Sequence, residues 1–386
     1  MIENAKRIQL LIATGLYPPD IGGPATYSKM LEEKLQAHTI DSTIIPFGTV
    51  RHLPKIVRHI AFALKLFKES KGKDVIYALD PISVGVPAYI VALLTRKLFM
   101  VRLGGDYAWE QGQQRFGLEQ TLDEYTQHPK GVPFLVKLLA GIQRHVVRSA
   151  SFVVLPSEYL KSIVMTWGVQ ESKIRVIYSA LFPLEVEGSK VALREQLAYT
   201  GTVVTSVGRL VPWKGFSELI EVIALLKEDI PDISLIIIGD GPLHETLVQK
   251  ARACGIEERV RLLGRLGKDA LGAAIKGSDL FVLNTAYEGL SHQLLEVMDL
   301  GVPIVTTHIG GNPELITDGI SGIMVEVGDT EGLAKAIKHV ITNESTQVRL
   351  TQNARLRAHD FTQEKVVEAF AQFIHTEVKP KVSSSL

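Results

Sequence analysis

The feature that most constrains this chain is an alternation repeated along its length. A short β-branched run is followed by a glycine or proline turn, then by a helix-length segment with apolar residues at 3.6-residue spacing. Strands separated by helices must run parallel, because a parallel return needs a crossover of a dozen or more residues. In the first half the runs fall at 8–14, 42–46, 75–78, 98–102, 151–155 and 174–177, with helical patterns at 25–36, 54–69, 84–94, 133–148 and 157–166. In the second half they fall at 203–207, 235–238, 260–263, 280–283, 303–306 and 323–325, with helical patterns at 215–226, 242–253, 268–276, 291–300 and 331–341. From 179 to 199 the periodicity fades, which marks a linker. The spacing predicts an α/β protein with two Rossmann-like doubly wound domains, 1–184 and 185–359, facing across a cleft. A last segment, 360–386, is expected to pack its helix back on the first domain and to end in a disordered polar tail from 379.

A length of 386 residues is itself too much for one core. The lone cysteine, Cys254, rules out a disulfide framework or a multi-cysteine metal site. The apolar stretches 8–14 and 82–94 are too short for a signal peptide or for the ~20 residues of a bilayer span, so a cytoplasmic chain without a membrane anchor is expected. Net charge is zero, but residues 1–184 hold 22 Lys+Arg against 15 Asp+Glu, and the remainder 20 against 27. The first half is expected to face something anionic.

Ligands of doubly wound sheets bind outside the carboxyl ends of the strands, where these glycine turns lie. In TAYEGLSHQLLEVMDLGVPIV, residues 285–305, a strand ends in a short loop holding Glu288, and a helix begins near Ser291. The N–H groups from Gly289 through Leu290, Ser291 and His292 to Gln293 surround that helix start, where backbone donors and helix dipole favour a phosphate. Glu296 lies about 7 Å further along the helix, so the two carboxylates can take hydroxyls on opposite sides of one phosphate. In SVGRLVPWKGF, residues 206–216, a strand turns at Gly208, presents Arg209 and reaches Lys214 before the next helix. Guanidinium and ammonium on one turn suit a diphosphate.

With these motifs the sequence resembles the retaining nucleotide-sugar glycosyltransferases of family 4, which have the GT-B fold. The resemblance spans nearly the whole chain and is strongest over 201–329. It rests on Glu288 with Glu296, on Gly208, Arg209, Lys214 and Gly215, and on Gly239-Asp240-Gly241-Pro242. Gly264, Gly310-Gly311-Asn312-Pro313-Glu314 and Asp318-Gly319 with Gly322 add to it, as does Pro18-Pro19-Asp20-Ile21-Gly22-Gly23-Pro24 in the first half.

The resemblance implies that Arg209 and Lys214 hold the donor diphosphate in place of a divalent metal, so no cofactor or metal is expected. It implies that Glu288 and the backbone at Leu290 to Gln293 hold sugar and phosphate, that Glu296 binds the ribose, and that Gly22 and Gly23 approach the phosphate from the opposing domain. Where many members carry a histidine after the fourth strand, this chain has Gly104-Gly105-Asp106. Asp106 is either the replacement for that histidine or a local turn residue. The connection 104–132, with Tyr107, Trp109, Arg115, Phe116 and Tyr125, is expected to line the acceptor side as a long loop. His308, His339, His359 and His375 read as surface or packing residues, and Cys254 as structural.

Residues 51–73 hold seven Lys+Arg and one acid, Glu69. On a helical wheel Ile56, Ile60, Ala63, Leu64 and Phe67 form one face, expected on the sheet, while Phe62 and Leu66 fall among Lys55, Arg58, His59 and Lys65. Such a helix either is an ordinary solvated one or rests on an anionic membrane surface with Phe62 and Leu66 inserted. No nucleic-acid reading motif is present. The leading function is a metal-independent retaining transfer of a sugar from a nucleoside diphosphate sugar to a hydroxyl of a lipid-linked or cell-envelope glycan, on the inner face of the membrane. Two alternatives are a donor-binding scaffold without turnover and a nicotinamide oxidoreductase. The second lacks the spaced third glycine after Gly22-Gly23 and an acidic residue placed about 20 positions on at the end of a second strand.

Overall fold

The computed structural model describes residues 7–20 and 22–384, with Ser384 described in its backbone only. Ile21, within the first glycine loop, lies outside the described residues, as do positions 385 and 386 of the tail. The chain forms two compact units, Met1–Ala180 with Gln363–Leu386, and Leu181–Thr362. The first division falls at Ala180 rather than 184. The segment after Thr362 belongs to the first unit.

Unit 1 holds strands β1 (Ile8–Thr14), β2 (Ile40–Pro46), β3 (Val75–Ala78), β4 (Leu98–Arg102), β5 (Phe152–Leu155) and β6 (Ile174–Val176) in the order β2-β1-β3-β4-β5-β6. Every pairing is parallel, and β1 aligns Ile8 with Ile40 and Leu10 with Val75. Leu10, Leu11, Ile12, Ile76 and Val101 are wholly buried, as strands covered by helices on both faces require. The return segment completes this core. Phe370 stacks on Tyr77 with ring centroids 5.5 Å apart, and Phe373 meets Phe152 edge-on at 5.1 Å.

Unit 2 holds β7 (Thr202–Val207), β8 (Ile233–Ile238), β9 (Val260–Leu262), β10 (Leu280–Leu283), β11 (Ile304–Thr307) and β12 (Ile323–Val325) in the order β12-β11-β10-β7-β8-β9, again all parallel. Its core gathers Leu219, Ile220 and Ile223 of one helix with Leu235, Ile237, Val282 and Val305 of the sheet. Among the described residues no helix is long and apolar enough to cross a membrane.

The structure corrects three expectations. The connection 104–132 is not a loop, since it holds the helices Tyr107–Phe116 and Leu122–Gln127. Asp106 caps the first, and a Thr121/Glu124 capping box opens the second. Trp109 and Tyr125 are buried between them and their neighbours rather than presented outward. The tail is helical over Lys379–Ser384, with the Lys381 ammonium 4.1 Å from the Phe152 ring centre. The helix Lys55–Glu69 faces the opposite way from the expectation. Phe62 and Leu66 are fully buried, whereas Ile56, Ile60, Leu64 and Phe67 are all more than half exposed. Phe62 packs edge-on against Phe47 at 5.1 Å and His59 lies on the same ring, so the helix seats on the turn after β2 through its narrower apolar stripe. Helical spacing shows which residues share a stripe, not which of two stripes meets the sheet.

Candidate functional site

The sheet of unit 2 reverses its order between β7 and β10, so the loops leaving the carboxyl ends of these two strands diverge and leave a crevice. The loop after β7 runs from Gly208 to a single 3-10 turn, Pro212–Lys214, and Gly215 opens the helix Phe216–Leu226. The loop after β10 runs over 284–291 into the helix His292–Leu300. Some 70 residues apart in sequence, the two loops are laced together. The Asn284 amide donates to the Gly215 carbonyl at 3.0 Å, Ala286 N–H to Trp213 O at 2.7 Å and the Thr285 hydroxyl to Trp213 O at 3.1 Å. Gly215 sits at φ 60°, and a Cβ there would overlap the Asn284 carbonyl, so the close approach requires glycine.

This lacing brings Lys214 to Glu288. The Lys214 ammonium donates to Glu288 Oε1, and the two side chains are only 12% and 11% exposed. A third loop, after β11, fixes Glu288 from behind. Gly311 N–H donates to the Glu288 carbonyl at 3.0 Å, and Gly310, at φ 57°, packs where any Cβ would strike the Glu288 backbone. Asn312, fully buried, holds that loop by donating to Thr306 Oγ1 at 3.1 Å and to Thr307 O at 3.2 Å, while the Thr307 hydroxyl donates to Thr285 O at 2.5 Å. Sequence reasoning gave Thr285 and Thr307 no part and named Asn312 only within the glycine motif of the resemblance. Their signal is small polar residues at or just beyond the carboxyl ends of otherwise apolar strands.

Gly289, Leu290 and Ser291 are buried beneath the helix start, and His292 and Gln293 are half-buried on it. The Ser291 hydroxyl accepts from Leu294 N–H at 3.3 Å, capping one donor. The first turn's remaining N–H groups have no acceptor within the helix, and the dipole adds a partial positive charge there. Glu296, one turn on, has its pKa pushed up to about 7 by burial, against a weak opposing pull from Lys268. Arg209 is exposed on its turn, and its side chain makes no hydrogen bond or ion pair among the described residues. The loops after β7, β8 and β9 are joined as well. Gly208 N–H donates to Ile238 O at 2.9 Å, Leu210 N–H to Asp240 O at 3.0 Å, and Gly239 N–H to the carbonyl of Gly264, itself at φ 65°. Gly208, Arg209, Lys214, Glu288 and the 289–293 segment therefore gather at one end of one sheet, with Glu296 just inside the helix.

In unit 1, Gly22 (φ 143°) caps the helix Gly23–Lys34, with its carbonyl accepting from Ala25 N–H at 3.0 Å. Asp20 in the same loop is held by Arg51, whose guanidinium donates to both carboxylate oxygens at 3.1 Å. Asp106 stands at the start of the helix Tyr107–Phe116. It is 1% exposed, accepts from Trp109 N–H and Gln143 Nε2 at 3.0 Å each, and burial raises its pKa. It caps that helix, as its local reading expected. Missed by sequence reasoning was Asp80, just past β3, whose half-buried carboxylate accepts from the N–H groups of Ile82 and Ser83 at 2.9 and 2.5 Å.

Taken together, the unit 2 cluster offers a polyanion two cationic side chains and a helix N-terminus, and offers hydroxyls two carboxylates. Residues 193–357 match the family model described as "Glycosyl transferases group 1". The chain is 34% identical over 177 residues to the lipopolysaccharide core biosynthesis glycosyltransferase LpsE of Rhizobium meliloti, covering 45% of this chain and 49% of that protein. It is 27% identical over 216 residues to a 4-alpha-N-acetylgalactosaminyltransferase of Campylobacter jejuni, covering 56% and 57%. That protein's full name begins with N-acetylgalactosamine-N,N'-diacetylbacillosaminyl-diphospho-undecaprenol. The chain spans about half the length of the curated relatives it matches. Anabaena HepE, solved in complex with UDP-glucose, matches in fold with a TM-score of 0.74 at 19% identity, covering 96% of this chain and all of that one. The fold is GT-B, and residues 193–357 are similar to the group 1 glycosyltransferases.

Proposed function

We propose that this chain transfers a sugar, with retention of configuration and without a metal, from a nucleoside diphosphate sugar to a hydroxyl of a lipid-linked or cell-envelope glycan on the cytoplasmic side of the membrane. The observation that carries the reading is the buried Lys214–Glu288 pair at the β7/β10 reversal, beside the N-terminus of His292–Leu300. A donor diphosphate entering there replaces Glu288 as the partner of Lys214, and the freed carboxylate takes a sugar hydroxyl. Arg209 and Lys214 then oppose the charge that grows on the leaving diphosphate as the glycosidic bond breaks, which is where electrostatic stabilisation acts on the barrier. Glu296 receives the ribose hydroxyls. The UDP-glucose bound by HepE supports the donor class, and the undecaprenol-linked glycan in the Campylobacter protein's name supports the acceptor class.

The test is turnover of nucleotide sugars with excess chelator, with the anomeric configuration of the product read by proton NMR. Undiminished turnover with a retained anomer is expected. Activity that a chelator abolishes and magnesium restores overturns the metal-free reading, and an inverted anomer overturns retention. Arg209→Ala and Lys214→Ala should each raise the barrier by ~3–4 kcal/mol, about a 100- to 1,000-fold loss in kcat. Near-normal rates in both would place the diphosphate elsewhere.

A further inference from the structure

Three neighbouring helices of unit 1, Lys55–Glu69, Gly85–Thr95 and Phe134–Ser149, carry an outward apolar surface that is exposed among the described residues. On the first, Ile56, Val57, Ile60, Leu64 and Phe67 are between 48% and 77% exposed. On the second, Ile90, Leu93 and Leu94 stand out, and on the third Phe134, Leu135, Leu138 and Ile142. These 12 are more than half of the 21 large apolar side chains exposed among the described residues, so the clustering is not the scatter expected of an ordinary surface. Between the first two helices runs an open groove of about 470 Å³ walled by Ile60, Leu64, Phe67, Val86, Ile90 and Leu94, with almost no polar lining.

Charge says what covers this surface. The second and third helices contain no acidic residue, and the first only Glu69. Exposed Lys55, Lys68, Lys71, Arg96 and Lys137 lie on or at the ends of these helices, and none is in an ion pair among the described residues. A second copy of the same face would set these cations against one another, whereas an anionic headgroup layer neutralises them while its acyl region receives the apolar stripes.

We propose that this three-helix face is a docking surface for an anionic lipid bilayer, with Ile60, Leu64 and Leu138 below the headgroups and the lysines at their level. It differs from the sequence expectation in its residues, since Phe62 and Leu66 belong to the core. It also stands independently of the transferase reading, because it involves no residue of unit 2.

The experiment is cosedimentation of the full chain with vesicles of phosphatidylcholine alone or with 30–40% phosphatidylglycerol, at about 0.1 M salt, where exposed charges still act over ~10 Å. No sugar or nucleotide is present, so its failure is distinct from that of the transferase reading. Wild type should partition at least tenfold more strongly onto the anionic vesicles. The variant I60S/L64S/L138S, altered only at exposed positions, should keep its melting transition and lose at least tenfold in partitioning. K55E/K68E/K137E should lose the preference for anionic over neutral vesicles. Equal binding of wild type and both variants, no binding of wild type, or a wild-type dimer in light scattering that I60S/L64S/L138S converts to monomer, would each overturn the proposal.

Discussion

Burial holds Glu296 protonated up to about pH 7, and that makes donor binding depend on pH in a stated direction. The charged form accepts ribose hydroxyls more strongly than the neutral acid, because charge-assisted hydrogen bonds are the stronger ones. Binding therefore favours ionisation, lowers the pKa in the complex and releases a proton, so affinity rises from pH 6 to pH 8. An intact nucleotide sugar is the right probe, since both its phosphates are esterified and do not titrate in this range. Calorimetry should show tighter binding at pH 8, and Glu296→Gln should flatten the dependence while weakening binding at pH 8 to the level seen near pH 6. A slope unchanged in Glu296→Gln would assign the titration to another group. The sign for folding is the reverse. The carboxyl titrates near 7 folded and near 4.5 unfolded, so its contribution to stability is full below about pH 4.5 and is lost as pH rises through 7.

At the scale of elements, the reversed seating of Lys55–Glu69 makes a prediction opposite to the one its sequence suggests. Phe62 and Leu66 are completely buried, so Phe62→Ser with Leu66→Ser removes two core side chains and places two hydroxyls in an apolar layer. Each large-to-small change in a core costs ~2–5 kcal/mol, so the pair should leave unit 1 unfolded or nearly so, as read by loss of its urea transition. Ile60→Ser with Leu64→Ser, on the exposed stripe, should stay within about 1 kcal/mol of wild type. The contrast also shows what the sequence carries. All twelve strands lie where β-branched runs and glycine turns place them, because a strand buried on both faces must be continuously apolar. The Tyr107–Phe116 helix escaped notice since its run, YAWEQGQQRF, is polar with a mid-helix glycine, and what nucleates it is the Asp106 cap. The site was legible to the extent that its residues sit on glycine turns beside a helix start. That Lys214 would pair with Glu288 was not, since pairing depends on which strands are neighbours, and the order β10-β7 is a property of the whole sheet.

For the whole molecule the decisive fact is that the chain leaves unit 1 at Ala180 and re-enters it at Gln363, so unit 1 is built from two distant segments while unit 2 is continuous. Val367, Phe370 and Ile374 are completely buried, with Phe370 on Tyr77 of β3 and Phe373 on Phe152 of β5. The returning helix is thus part of unit 1's core rather than an appendage; the sequence reading expected it on the first domain, but its amphipathic pattern does not say which strands it meets. Phe370→Ala should therefore cost ~3–5 kcal/mol, the range for deleting a buried aromatic ring, and the cost should fall on unit 1. Hydrogen exchange read by mass spectrometry separates the two units within one sample, because amides that exchange through unfolding of a unit report that unit's stability. Peptides covering β1, β3 and β5 should exchange at least ~100-fold faster than in wild type, which is what 3 kcal/mol implies at ~1.4 kcal/mol per factor of ten. Peptides covering β7, β8 and β10, whose core is built from Leu181–Thr362, should keep their protection. Equal acceleration in both sets would mean that the chain unfolds as a single cooperative body, and no acceleration in β3 would mean that the returning helix is not part of that core.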